Sequence, residues 1–183
     1  MNETSILVAV CEDVAHIRVT GRADFAVATR FKTAFEALRH RGFHLFAIDL
    51  GDCLQMDSTF LGTLAGATMN LGCRVGGTTR PPIELFRPNK RLQKLLSDLG
   101  VDSLFSISTE SDKAVDYEAA PPVRPTPTAM ARTSLEAHEA LMSISPKNRS
   151  RFKDVVSFLR DDLSKVAPNA TSDHRWPDGG AAN

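Results

Sequence analysis

The chain reads as an α/β domain built on a mixed β-sheet, in the order β-β-α-β-α-β-α-β, with a helical extension at its C-terminal end. Three observations predict this. Short apolar runs of strand length (Ile6–Val10, Leu45–Leu50, Ile83–Phe86) alternate with stretches whose apolar residues recur every three or four positions. The first two strands are separated only by a tight turn and pair antiparallel, whereas later strands are separated by helices, which demands parallel neighbours and right-handed crossovers. Past residue 110 the character changes: Pro121, Pro122, Pro125 and Pro127 punctuate a stretch of little apolar periodicity, and two more helical patterns follow.

The elements follow in order. Ile6–Val10 is the first strand, Glu12-Asp13 the turn, and His16–Val19 the second strand, with Ile17 and Val19 on one face. Gly21 breaks the strand and Asp24 caps a helix running from Phe25 to His40. Phe25, Ala28, Phe31, Ala34, Phe35 and Leu38 are its expected buried stripe, and Gly42 stops it. Leu45–Leu50 is apolar enough to be a strand covered on both faces. A helix begins near Ser58, with Phe60, Leu61, Leu64, Ala65, Thr68 and Leu71 at helical spacing. Gly72–Pro82 is a turn-rich connection to the strand Ile83–Phe86. Pro88-Asn89 opens a third helix that buries Leu92, Leu95, Leu96 and Leu99 and ends at Gly100; Leu104–Ile107 closes the sheet.

These elements fill residues 1–110 as one domain. Residues 111–133 are expected to be a Pro-rich linker, 134–167 a helical pair, and 168–183 a disordered tail. In the pair, Leu135, His138, Leu141 and Met142 mark a short helix. Ser145-Pro146 is a cap followed by proline at the first helical position, opening a second helix with Phe152, Val155, Val156, Leu159, Leu163 and Val166 on one face. So small a pair cannot bury its own apolar face, so it packs on the domain, dimerises, or holds a partner.

Composition excludes several function classes. Apolar residues make up 42%, enough for a real core, and the 22 basic residues balance 22 acidic ones, so no global field steers the chain toward nucleic acid or an anionic membrane. Cys11, Cys53 and Cys73 are too dispersed for a zinc site or a disulfide framework. No apolar stretch approaches the roughly 20 residues needed to span a bilayer, and Met-Asn-Glu-Thr-Ser lacks the pattern of a secretory signal. A cytoplasmic protein with reduced thiols and no cofactor is expected.

The chemically suggestive stretch is Met56-Asp57-Ser58-Thr59-Phe60-Leu61-Gly62, where a buried strand hands over to a helix. A helix N-terminus favours negative charge and offers unpaired N–H groups, so a hydroxyl there suits a phosphate. On local physics alone, ordinary capping by Asp57 or Ser58 explains the same residues. Elsewhere, Gly62 and Gly66 inside the helix suggest close packing of helix on sheet or a smooth partner surface. Lys147, Arg149, Arg151 and Lys153 read as a solvated basic face, and Gly72–Thr79 lacks the Lys of a phosphate-binding loop. The five histidines show no metal-ligand spacing and none stands out as a base for Ser58, so an enzyme is not expected.

Strand–loop–Asp-Ser-Thr-Phe-Leu-Gly–helix resembles the signature of STAS domains, the module shared by anti-sigma factor antagonists and the cytoplasmic ends of sulfate transporters. The resemblance spans about residues 5–110 and includes Gly21, Asp24, Asp49-Leu50, Phe86-Arg87-Pro88-Asn89 and Leu99-Gly100-Val101. It implies a STAS-like mixed sheet and a non-catalytic switch in transcription regulation. In the antagonists, the Ser after the Asp is phosphorylated by an anti-sigma factor with serine kinase activity. By motif position that residue is Ser58, with Thr59 the lesser alternative, and Asp24, Met56, Asp57, Ser58, Thr59 and Phe60 are the implied partner contacts. The family most often reads Asp-Ser-Ser-Gly-Leu-Gly, so Phe60 puts a large apolar group where glycine is common. The resemblance also allows a second reading, a cytoplasmic ligand-binding or transport-complex subunit.

Overall fold

In the computed structural model, which describes residues 4–72, 81–110 and 115–166, the first elements are β1 (Ile6–Cys11), β2 (Val14–Val19), β3 (Gly21–Ala23) and α1 (Phe25–His40). There follow β4 (Leu45–Asp49), β5 (Cys53–Met56), α2 (Ser58–Leu71), β6 (Ile83–Phe86) and α3 (Lys90–Asp98). A single 3-10 turn at Asp102–Leu104 precedes β7 (Ser106–Ser108), β8 (Glu118–Ala119), α4 (Pro127–Ile144) and α5 (Pro146–Val166). The main sheet has the order β7-β6-β4-β2-β1-β8. β1 and β2 form the expected antiparallel hairpin, paired from Ile6↔Val19 to Cys11↔Val14, with Glu12 at φ 54° in the turn. β2–β4, β4–β6 and β6–β7 are parallel, as helical crossovers require. The mixed α/β architecture is therefore the one the sequence predicts.

The core lies where α1 and α2 meet the sheet. Phe31 faces Phe60 with ring centroids 5.1 Å apart, and Phe35 stacks on Phe46 at 4.2 Å. Ile17, Ile48 and Leu85, side by side on three strands, are fully buried. One charged group shares this interior. The fully buried Asp49 carboxylate accepts from Arg18 Nε at 2.9 Å, from Arg87 Nη2 at 2.9 Å to each oxygen, and from the Gly51 backbone N–H at 3.0 Å. Burial alone would push this carboxyl up; the Gly51 N–H and the two guanidiniums outweigh it and hold the group below the ordinary carboxylate range. A Cβ on Gly51 would lie 2.3 Å from the Arg87 guanidinium carbon, so a larger residue there would have to shift that side chain.

The structure corrects several expectations. β3 and β5 form a separate two-stranded parallel pair that the sequence reading left as loop; segments of three and four residues carry too little alternation to register as strands. Phe25 is 49% exposed rather than buried, because a side chain on a first helical residue leans back past the helix end, beyond what the sheet covers. Leu104 belongs to the 3-10 turn, and the last strand of the domain begins at Ser106.

The stretch expected as a linker holds structure. Val8↔Glu118 and Leu7↔Ala119 pair β8 onto β1. α4 starts at Pro127, not near residue 134: Thr126 caps it, accepting from the Ala129 N–H at 3.1 Å, so Pro127 is a first-turn proline rather than a linker residue. α4 lies along α2, and α5 folds back on α4, which selects packing on the domain from the three options open to the helical pair. The glycines of α2 meet this helix, not the sheet: a Cβ on Gly62 would lie 2.4 Å from the Ala137 carbonyl oxygen. On α5 only Phe152 and Val156 of the expected stripe are buried, while Val155 and Val166 are exposed and Phe158, beside them, is 69% exposed. The second half of α5 runs past the body it would need for cover. Most of the Gly72–Pro82 connection and the whole 168–183 tail lie outside the described residues.

Asp49→Asn leaves two guanidiniums facing a neutral amide, and both are partly solvated. The expected cost is about 1.5–3 kcal/mol, the range for hydrogen bonds to charged groups. Urea unfolding at pH 7 checks this, and an unchanged midpoint would show the cluster to be dispensable.

Candidate functional site

β5 ends at Met56, and the backbone N–H of Asp57 donates to the Ala23 carbonyl at 3.0 Å, so the β3–β5 pair sets where α2 begins. Asp57 is the cap. Its Oδ1 accepts from the Phe60 N–H at 2.8 Å and its carbonyl from the Leu61 N–H at 3.1 Å. Burial pushes the Asp57 carboxyl up; the Phe60 N–H pulls it down, and the neighbouring charge of Asp24 pushes it further up. Asp24 is exposed and caps α1 through the Ala26 and Val27 N–H groups.

Because Asp57 takes the cap, Ser58 is the first helical residue and its hydroxyl is free for another partner. That partner is His138 on α4, whose Nε2 lies 3.1 Å from Ser58 Oγ. The His138 Nδ1 is 2.7 Å from the Ser134 carbonyl oxygen, which only accepts. The ring proton therefore sits on Nδ1, Nε2 is bare, and the Ser58 hydroxyl donates to it. Phe152 of α5 packs against the ring with centroids 4.8 Å apart. Burial pulls the His138 pKa down, with the Ser134 carbonyl and the Asp57 charge acting the other way, and the net shift is downward. The downward shift favours the neutral imidazole, whose Nε2 serves as a hydrogen-bond acceptor.

The structure thus gathers Asp24, Met56, Asp57 and Ser58 at one end of the domain and turns two expected contacts inward. Phe60 is fully buried against Phe31 and offers no surface to a partner. The reason is helical spacing: two residues past Ser58, it points to the sheet side of α2. Thr59 is buried as well, which leaves the half-buried Ser58 as the less enclosed hydroxyl of the pair. Sequence reasoning missed His138 as a partner of Ser58. The available signal was a polar residue on the apolar stripe Leu135, His138, Leu141, Met142, and using it required knowing that this stripe packs on α2. Among the described residues, no group of His, Cys, Asp and Glu could hold a metal ion, and no helix is long and apolar enough to cross a membrane.

No protein-family model matches the sequence, and no curated protein matches it. Solved structures do. An anti-sigma factor antagonist from Mycobacterium paratuberculosis superposes with a TM-score of 0.51 at 20% identity, covering 59% of this chain and 87% of that one. This chain has the STAS fold. A Thermotoga maritima protein described as a candidate anti-sigma factor antagonist gives 0.49 at 21% identity, over 56% of this chain and 85% of that one. The Bacillus cell fate determinant SpoIIAA in its phosphorylated form gives 0.45 at 19%, over 59% and 93%.

On this STAS fold, His138 predicts a pH dependence. Its folded pKa lies below the ordinary 6.5, so the unfolded chain binds the proton more readily. The stability it supports is full above pH ~6.5 and is lost as pH falls through the folded value. Urea midpoints measured from pH 8 to pH 5 are expected to fall more steeply for the native chain than for His138→Gln. Identical slopes would show that His138 does not titrate as its burial requires.

Proposed function

We propose that this chain is an anti-sigma factor antagonist that acts as a phosphorylation-controlled interaction switch, with Ser58 as the acceptor. Unphosphorylated, it binds an anti-sigma factor that carries serine kinase activity, in the cytoplasm, and so frees a sigma factor. Phosphorylated, it releases that partner. The observation that carries the reading is the division of labour at the start of α2: Asp57 satisfies the cap, leaving the Ser58 hydroxyl uncommitted to its own helix. The resemblance of the Asp-Ser-Thr-Phe-Leu-Gly run and the STAS fold support it.

The physics of the switch is local. A phosphate adds about −1.5 to −2 charges at pH 7 and strongly hydrated oxygens. At Ser58 it gains from the helix N-terminus and loses from Asp57 beside it and Asp24 nearby. A partner surface that buries this helix start then has to dehydrate a dianion flanked by carboxylates, which weakens the complex. Asp24, Met56, Asp57 and Ser58 form the contact; Phe60 and Thr59 act from inside by fixing the position of α2. The nucleotide and its magnesium belong to the partner, and the chain itself catalyses nothing.

Incubating the chain with ATP and the anti-sigma kinase of the same organism is expected to add one phosphate, seen by intact-mass spectrometry. Ser58→Ala abolishes it and Thr59→Ala does not. A phosphate mapped to another residue overturns the assignment.

A further inference from the structure

We infer that the α4–α5 hairpin is a displaceable intramolecular cover that competes with the partner protein for the start of α2, so that Ser58 is phosphorylated only when the hairpin lifts. The inference rests on the reading of Ser58 as the acceptor and adds the control of that site.

The cover is fitted to the site. The α4 backbone at Ala137 sits so close to α2 that only glycine fits at position 62. One residue on, His138 closes over the Ser58 hydroxyl, backed by Phe152. At the far end, Asn148 Nδ2 donates to the Leu99 and Leu141 carbonyls at 2.9 Å each, fastening the turn of the hairpin to the end of α3. Lys32 of α1 pairs with Glu136 of α4 at the surface. Phosphoryl oxygens on Ser58 would need the space that the imidazole fills, so the covered and phosphorylated states exclude each other.

The cover is also built to come off. Along the groove its contact with α2 uses Gly62, Thr63 and Gly66 against Thr133, Ala137 and Ala140, small groups that bury little apolar surface per residue, and its large anchors in the core are Leu141 and Phe152. A groove of about 310 Å³ remains between α1, α2 and α4, lined by Phe31, Phe35 and Ala140 among others. α4 and α5 pack on each other and can move as one body. Their tie to the sheet before Thr126 is an extended segment with Pro121, Pro122 and Pro125, anchored by the two-residue β8. A partner that binds α2 more tightly than α4 does shifts the equilibrium, and by reciprocity the hairpin weakens that partner by the same factor.

The full-length chain carrying Gly66→Cys/Ala140→Cys tests this. A Cβ at position 66 lies 3.5 Å from the Ala140 Cβ, within reach of a disulfide, so oxidation locks the cover and reduction releases it. Two readouts are taken: hydrogen exchange of α4 peptides, and phosphate on Ser58 delivered by ATP and the anti-sigma kinase of the same organism. Oxidation is expected to slow both, and reduction to restore both to the native rate. Ala137→Leu, which wedges α4 away from Gly62, gives the opposite change, with phosphorylation faster than in the native chain by roughly 5–150-fold. If the oxidised and reduced forms are phosphorylated equally while exchange is slowed, or if Ala137→Leu gains nothing, the cover is refuted and the acceptor reading stands. If no form gains phosphate, the native chain included, the acceptor reading fails and the competition built on it fails too.

Discussion

The geometry at the Ser58 end of the molecule depends on the absence of a side chain at residue 62. α2 carries Gly62 and Gly66 one turn apart, each costing about 1 kcal/mol of helix propensity against alanine. What that cost permits is the approach of a second helix until the Ala137 carbonyl lies 2.4 Å from where a Cβ would stand. Contact at that range fixes the axial position of α4, and with it the residue that follows Ala137. His138 reaches Ser58 because Ala137 reaches Gly62. On the opposite face of α2, Phe60 seats on Phe31 of α1 and sets the spacing of the two helices. α2 is therefore held between an aromatic contact with α1 on one face and, on the other, a helix whose backbone closes on Gly62 and whose Leu141 is fully buried.

The same arrangement sets the charge state of the site. Burial pushes the Asp57 carboxyl up and the His138 imidazole down, so each shift favours the neutral form. Capping is the counterweight for Asp57, whose Oδ1 receives the Phe60 N–H. For His138 it is the Ser134 carbonyl, which fixes the tautomer and leaves Nε2 to accept. The hydroxyl thus lies between a neutral imidazole and the Asp57 carboxylate, whose charge acts on His138 and is itself acted on by Asp24. A phosphate introduced there would be the largest charge in its surroundings, which is what a switch based on added charge requires.

Much of this was legible in the sequence where local chemistry decides the outcome. The caps Asp24, Asp57 and Asn89 all open helices as expected, and the apolar runs of β1, β4 and β6 fall where predicted. The failures share a cause, which is that neighbours distant in sequence decide the outcome. β3 and β5 exist because Gly21, at φ 70°, turns the chain so that Ala23 meets Met56. Pro127 looked like one more linker proline until Thr126 was seen to cap the helix it begins. The resemblance implies Phe60 as a partner contact, yet its helical phase, already visible in the apolar stripe of α2, sends it into the core. His138 lies 80 residues from Ser58, and no local pattern connects them.

The Asp49 cluster and the Ser58 site, though at different points in the chain, belong to one mechanical unit. Asp49 holds Arg18 at the end of β2 and Arg87 just past β6, so one carboxylate ties together the C-terminal ends of three adjacent strands. The chain leaves this knot through Gly51, whose N–H bonds the same carboxylate, and enters β5 two residues later. The Cys53 carbonyl then accepts from Asn89 Nδ2 at 2.9 Å, and the Asp57 N–H bonds Ala23. Each step between Asp49 and Ser58 is fastened by a hydrogen bond to a different element, leaving little slack. The Ser58 hydroxyl is thus held by this fastened run, and the histidine bonded to it by a helix that closes on α2 at Gly62 and is anchored in the core by Leu141.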